Sequence, residues 1–240
     1  MYVFDTAIFE TYLGLPLPQW LIPLMPEFEV LFVNYIATLW GFIPFKEDSF
    51  EIDLQKELTK ISSGFLIDEI VDRLILKIEC QKSKTKNCDD IEKQKFYVYS
   101  GHDITEISLL LGLGFKTFIF EKESMPSVGS SIVLELWKSE DNKNISISKE
   151  NQFELYYVKI YFYQNSSVEN PKYIGDLIPE CQRQKGCPIS YLIKRAELLR
   201  PKPDLKSYCN QSVNTAIKFK NSVIIFVSFF VLYYLNNNKY

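Results

Sequence analysis

Apolar positions along the chain fall into runs of two different periods. Between Gln19 and Phe45 they come at mixed helical spacing after Pro23 and Pro26, which predicts a helix from about Pro26 to Trp40, stopped near Gly41 and Pro44. From Phe50 to Cys80, residues Leu54, Leu58, Ile61, Phe65, Ile67, Ile70, Leu74 and Ile78 step along an amphipathic stripe, with Gly64 expected to divide it into two helices. Gln81–Gln94 is a polar connector. Phe96–Tyr99 is short, aromatic and β-branched and reads as a buried strand; Asp103–Leu113 follows as a helix closed by Gly112 and Gly114. Ser131–Trp137 and Phe153–Tyr163 alternate with the period of strands, and the polar Lys138–Gln152 between them predicts an antiparallel hairpin with a long loop, turning next at Asn165-Ser-Ser. Ile189–Leu199 is a last short helix, ended by Pro201, Lys202 and Pro203. The class is mixed α/β, without internal repeats.

The C-terminal apolar run has another character. Ser222–Leu235, SVIIFVSFFVLYYL, is 14 residues without a charge, whereas a bilayer-spanning helix wants about 20 and roughly 17 at the short limit. Extending it over Ile217 and Phe219 requires Lys218 and Lys220 to snorkel. The expectation is a membrane anchor at residues 218–236, after a linker at 211–217 and before a short tail at 237–240. A buried terminal strand or helix, and a GPI-type signal, are the alternatives. The N-terminal MYVFDTAIFETYLGLP lacks a basic start and carries Asp5 and Glu10, so it does not read as a signal peptide. Lysines before the apolar run favour a cytosolic domain by the positive-inside rule. The sequons Asn144-Ile-Ser, Asn165-Ser-Ser and Asn210-Gln-Ser favour a lumenal or extracellular, glycosylated one.

Composition narrows the function. The chain has 240 residues, a net charge of −3 and no basic block, which argues against nucleic acid, since a phosphate backbone is held by a concentrated Lys/Arg face. Of five cysteines, Cys181 and Cys187 bracket one polar loop, and Cys80 and Cys88 another; each spacing suits a short disulfide-closed loop, although spacing does not fix the pairing. Cys209 is the odd one. A metal site is a poor alternative, because C-x-x-C is absent and histidine occurs once.

That histidine is His102. The local order of strand, Ser100-Gly101-His102-Asp103 and helix places it at a strand's carboxyl end, where crevices form in open α/β sheets, and just before a helix start whose N–H groups favour an anion. Gly101 would let the backbone approach a ligand closely. A phosphate there, held by an imidazole with Asp103 as proton donor to a leaving alcohol, is sensible chemistry. Against this stands a plainer reading: Asp103 with Glu106 fits a D-x-x-E helix start, with Asp103 only an N-cap.

The stretch YSGHDITEISLLLGLG resembles the second signature of the histidine acid phosphatases, the group of prostatic, lysosomal and invertebrate secreted acid phosphatases. Asp5-Thr6 with Glu10, then Leu17-Pro18 and Trp20, looks like the family's Asp-Thr…Glu…Leu-Pro-x-Trp stretch. The hairpin Ile132–Tyr163 looks like its late strand pair, Cys181–Cys187 with Pro188 like its Cys-loop, and Arg200-Pro201 to Cys209 like its C-terminal run. The resemblance runs from about Asp5 to Cys209. It implies an α/β histidine-phosphatase-like sheet flanked by helices with a helical cap: a partial domain over residues 1–210, with about 15–95 mostly helical and cap-like, lacking the family's first strand and helix. It implies hydrolysis of phosphomonoesters at acidic pH without cofactor or metal, His102 contacting the phosphate and Asp103 protonating the leaving group. The family's nucleophile is a histidine in an Arg-His-Gly-x-Arg motif, whose arginines, with another further along, clamp the phosphate.

This sequence has neither that motif nor a second histidine. By the resemblance, Cys209 matches a cysteine whose partner lies in the absent front part, and Phe9 and Ser130 stand where another family pair would be. The expectation is therefore a fragment or an inactive chain, membrane-anchored, with its domain on the lysosomal or cell-surface side. Its partners would be a phosphomonoester or phosphate and the membrane, with a homodimer left open. The alternative is a non-catalytic membrane-anchored phosphate-binding or interaction protein.

Overall fold

The structure, a computed structural model, describes residues 2–40, 53–81, 88–116, 126–139, 152–182 and 184–216. The chain divides into two units, Met1–Arg200 and Pro201–Tyr240.

In the first unit the alternating residues pair as expected. Strand β1 (Ser131–Lys138) runs antiparallel to β2 (Tyr156–Tyr163), in register from Ser131 opposite Tyr163 to Lys138 opposite Tyr156. A 3₁₀ turn at Gln152–Leu155 occupies the start of the region expected as strand. The other edge of β2 carries two short strands, β3 (Lys172–Tyr173) opposite Tyr161 and Phe162, and β4 (Cys187–Pro188) opposite Tyr157 and Val158. The turn after β2 is held by the Ser167 N–H donating to Asn165 Oδ1 at 2.9 Å, the local bonding that makes Asn a turn residue.

The helices are α1 (Tyr2–Tyr12), α2 (Met25–Leu39), α3 (Leu54–Cys80), α4 (Asp89–Lys93), α5 (Asp103–Leu113) and α6 (Ile189–Leu199). Tyr156, Val158, Ile160 and Phe162 of β2 form the floor of the main core. Ile67, Val71 and Ile78 of α3, Leu110 and Leu113 of α5, and Ile189, Leu192 and Ala196 of α6 pack on it. Each such aliphatic side chain contributes about 1.5–3 kcal/mol by leaving water. A second cluster joins α2 to α5 through Ile36, Ile107 and Leu111, with Phe32 and Trp40 against it.

Two sequence expectations are corrected here. Helix α3 runs unbroken through Gly64; a glycine inside a helix costs about 1 kcal/mol, and this one is buried within a packed face. That face is Thr59, Ser63, Ile67, Val71 and Ile78, whereas Ile61 and Phe65 of the expected stripe are exposed, Phe65 at 65%. The hydroxyls of Thr59 and Ser63 donate to the carbonyls of Gln55 and Thr59 at 2.6 and 3.1 Å, so they enter the core already paired.

The second correction concerns Phe96–Tyr99, which forms no strand and is exposed, Phe96 at 79%. Aromatic and β-branched residues favour extended backbone, but a strand requires another strand to pair with, and none of the described strands pairs with this segment. Side chains hold the segment instead: the Arg73 guanidinium sits 3.7 Å from the Tyr97 ring centre, and the Tyr99 hydroxyl lies 3.5 Å from Glu69 Oε1.

Both short-loop disulfides form, Cys80–Cys88 and Cys181–Cys187, the first closing the polar connector beside α4 and the second leading into β4. In the second unit, α7 (Leu205–Ala216) is capped by Asp204, whose carboxylate accepts from Ser207 N–H at 2.9 Å and from its hydroxyl at 2.7 Å. This helix continues through 211–216 of the stretch expected as a linker. Cys209 makes no disulfide among the described residues. The expected anchor at 218–236 and tail at 237–240 lie outside the described residues. Among the described helices, Ile22–Leu39 is long and apolar enough to cross a bilayer by length and composition, a test that a core helix also passes.

Helix α5 crosses α3 at a point where a methyl group has no room. A Cβ on Gly112 would meet Ile67 Cγ1 at 2.6 Å and Ser63 Oγ at 2.7 Å. Gly112→Ala is expected to destabilise the first unit by about 1–3 kcal/mol despite the better helix propensity of alanine. The midpoint of urea unfolding, followed by circular dichroism, checks this.

Candidate functional site

The site is built on the first turn of α5. His102 is its N-cap, in extended conformation at φ −112° and ψ 168°. Its carbonyl accepts from Thr105 N–H at 2.9 Å and Glu106 N–H at 3.1 Å, and its own N–H donates to Thr105 Oγ1 at 3.2 Å. Asp103 is the first helical residue and accepts from Ile104 N–H at 2.7 Å. The plainer reading of Asp103 as the N-cap is thus corrected by one residue. A carboxylate at the first helical position, where the dipole favours negative charge, is well placed in any case. His102 and Asp103 are adjacent and both exposed.

Gly101 also leaves room for the Thr105 side chain. A Cβ there would lie 3.0 Å from the Cβ and Cγ2 of Thr105. The space beside the backbone is filled by Thr105, which is why that side chain can reach the His102 N–H.

Glu106, one turn into the helix, is half-buried and accepts from Ser130 Oγ at 2.8 Å. This bond joins the first turn of α5 to the entry of β1. Burial pushes the Glu106 carboxyl up, the Ser130 hydrogen bond pulls it down, and the Asp103 charge pushes it up again, with a net rise above the ordinary 4.5. Sequence reasoning weighed Glu106 only as a helix-start residue. The three-residue spacing from Asp103 was the available signal, since it puts both carboxyls on one helix face; the Ser130 partner, 24 residues away, left none.

The described arginines are all engaged elsewhere. Arg73 donates to Glu69 Oε1 through Nε at 3.1 Å and Nη2 at 2.7 Å. Arg195 donates to the carbonyls of Gly112 at 2.9 Å and Leu111 at 2.8 Å. Arg200 forks onto Asp68, with Nε 2.9 Å from each carboxylate oxygen. Positive guanidinium charge at the turn is therefore not supplied by these three, and the local side chains are one imidazole and two carboxyls. Among the described residues no group of three His, Cys, Asp or Glu side chains is arranged to hold a metal ion.

A family model for the histidine phosphatase superfamily (branch 2) matches residues 19–163, which include the α5 turn and the β1–β2 hairpin. Similar curated proteins are from Caenorhabditis elegans. "Putative acid phosphatase 10" is 29% identical over 161 residues, 66% of this chain and 36% of that protein. "Putative acid phosphatase 11" is 25% identical over 158 residues, 66% of this chain and 35% of its own length. A further protein with an acid phosphatase name is 28% identical over 187 residues, 77% of this chain and 39% of its own. The chain thus spans little more than a third of the relatives it matches. No solved structure matches it.

The Glu106 environment predicts a stability trend. Its folded value lies above its unfolded one, so its contribution is fully present below the ordinary glutamate range and is lost as pH rises through the folded value. Glu106→Gln, which keeps an oxygen for Ser130, is expected to stabilise the chain at pH 7 relative to wild type. The advantage should vanish by about pH 3.5, where the wild-type carboxyl is protonated in both states. Urea midpoints at the two pH values measure it.

Proposed function

The chain belongs to the histidine phosphatase superfamily, branch 2, and from that premise we propose that the exposed α5 turn is the phosphate side of a phosphomonoester hydrolase site. His102 binds a phosphate oxygen, and Asp103 holds the proton that goes to the leaving alcohol. The observation that carries this reading is the placement of His102 and Asp103 together, exposed, at the start of an eleven-residue helix within the matched region. The helix N-terminus adds a favourable dipole for the anion. Two disulfides support an oxidising, lumenal or extracellular compartment.

The same chemistry limits what these 240 residues do alone. Hydrolysis by way of a phosphohistidine needs a second imidazole, and the chain has one. The dianion also needs positive charge, and the described arginines are bound into the fold. We therefore read this chain as a phosphate-binding half-site whose nucleophile comes from outside its sequence. The non-catalytic phosphate-binding reading shares the same turn, and the difference between the two is whether a nucleophile is ever supplied.

Two measurements test this. The ³¹P line of inorganic phosphate is expected to broaden at pH 5 on adding the full chain and not on adding His102→Ala. Hydrolysis of p-nitrophenyl phosphate is expected to stay at the blank. Turnover by the chain alone, abolished in His102→Ala, would overturn the half-site reading; equal broadening by both proteins would overturn the role of His102.

A further inference from the structure

Glu106 connects the candidate site to the sheet. It lies four residues after His102 and three after Asp103, so all three side chains project from neighbouring positions at the same end of α5. Its carboxyl is half-buried and bonded to Ser130 Oγ at 2.8 Å, just ahead of β1. The remaining first-turn bonds are internal to α5: Thr105 to the His102 backbone and Ile104 to Asp103. The Ser130–Glu106 bond ties this first turn to another element.

We propose that Glu106 is a positioning residue for the phosphate-side turn, holding it against the β1 entry through Ser130 and setting by its protonation how much negative charge an anion meets there. The proposal rests on the reading of this turn as a phosphate site. Protonated, Glu106 still accepts from Ser130, and an incoming phosphate meets one neighbouring carboxyl, Asp103. Ionised, it keeps the Ser130 bond but sets a second carboxylate one helical step from Asp103 and one turn from His102, where like charges repel. The charged neighbour acting on Glu106 is Asp103, from its own helix, while Arg195 of α6 is engaged at the far end of α5 by the carbonyls of Leu111 and Gly112. Burial, the largest cause, raises the Glu106 carboxyl above its ordinary value, so its charge is gained later on the rise from acidic pH than that of an unperturbed glutamate. The device makes the turn selective for acidic conditions independently of His102.

The test uses the full chain and inorganic phosphate, with the ring-proton resonance of its single histidine as the reporter. The readout is the difference between proteins at each pH, which removes effects common to all variants. Between pH 4.5 and 7 the wild-type affinity is expected to fall about two- to tenfold further than that of Glu106→Gln, the size of one added charge at partly screened range. Glu106→Ala and Ser130→Ala should bind more weakly than Glu106→Gln at pH 4.5, because glutamine keeps the acceptor and the other two break the tie. Parallel pH profiles for wild type and Glu106→Gln would overturn the charge role. Amide hydrogen exchange of residues 103–106, measured without phosphate, tests the positioning role separately. Protection should drop in Ser130→Ala and Glu106→Ala and persist in Glu106→Gln; unchanged protection in Ser130→Ala would overturn it. No histidine response in wild type at any pH would instead sink the phosphate reading itself.

Discussion

The placement of the site depends on how the far end of its helix is held. The last carbonyls of an α-helix have no partner within the helix, and α5 ends inside protein, with Leu110, Leu111 and Leu113 all buried. Helix α6 supplies the missing donors. Arg195 covers the carbonyls of Leu111 and Gly112, and the Tyr191 hydroxyl donates to Leu113 at 2.9 Å. Burial pushes the Tyr191 phenol up, which keeps its proton in place. The guanidinium also lies where the helix dipole is negative. Because α6 follows β4 directly and β4 pairs with β2, the clamp ties α5 to the central strand. A helix of eleven residues is about 16 Å long, so the direction of its first turn is fixed from its last.

This arrangement explains where the described arginines are used. A guanidinium that satisfies two buried carbonyls, or forks onto Asp68, is poorly available to a dianion, since removing it would leave those acceptors unpaired at about 1–3 kcal/mol each. In this chain the described arginines serve the fold. The first turn of α5 itself carries one imidazole, His102, and two carboxyls, Asp103 and Glu106.

Periodicity made the regular elements legible. The bounds of α5 and α6 and the β1–β2 pair follow from apolar spacing, glycine and proline, because each buries a face large enough to leave a repeating mark. What it missed were choices made between elements. The buried face of α3 contains Thr59 and Ser63, whose hydroxyls are paired within their own helix, so polarity misled the stripe toward Ile61 and Phe65. The position of His102 and Asp103 at the start of α5 was legible from the order of residues. The Ser130–Glu106 tie was not, because a contact between two polar residues far apart in sequence imprints no period on either.

Phe96–Tyr99 is where local preference and surroundings disagree most, and it leads straight into the site. Its residues have the composition of a buried strand, yet Phe96, Tyr97, Val98 and Tyr99 are all exposed. Leaving a Phe or Val in water forgoes about 1.5–3 kcal/mol per side chain, and an unpaired extended backbone is less ordered than a ladder. Arg73 over Tyr97 and Glu69 near Tyr99 replace part of that order with surface contacts, each worth about 1 kcal/mol or less when solvated. The turn is therefore firmly held on its α5 side and lightly on its Tyr99 side. Local conflicts of this kind concentrate at functional positions. Pairing of a neighbouring strand along Phe96–Tyr99 would bury the aromatics and fix the backbone entering His102, so the geometry of the turn depends on that second side as much as on the helix.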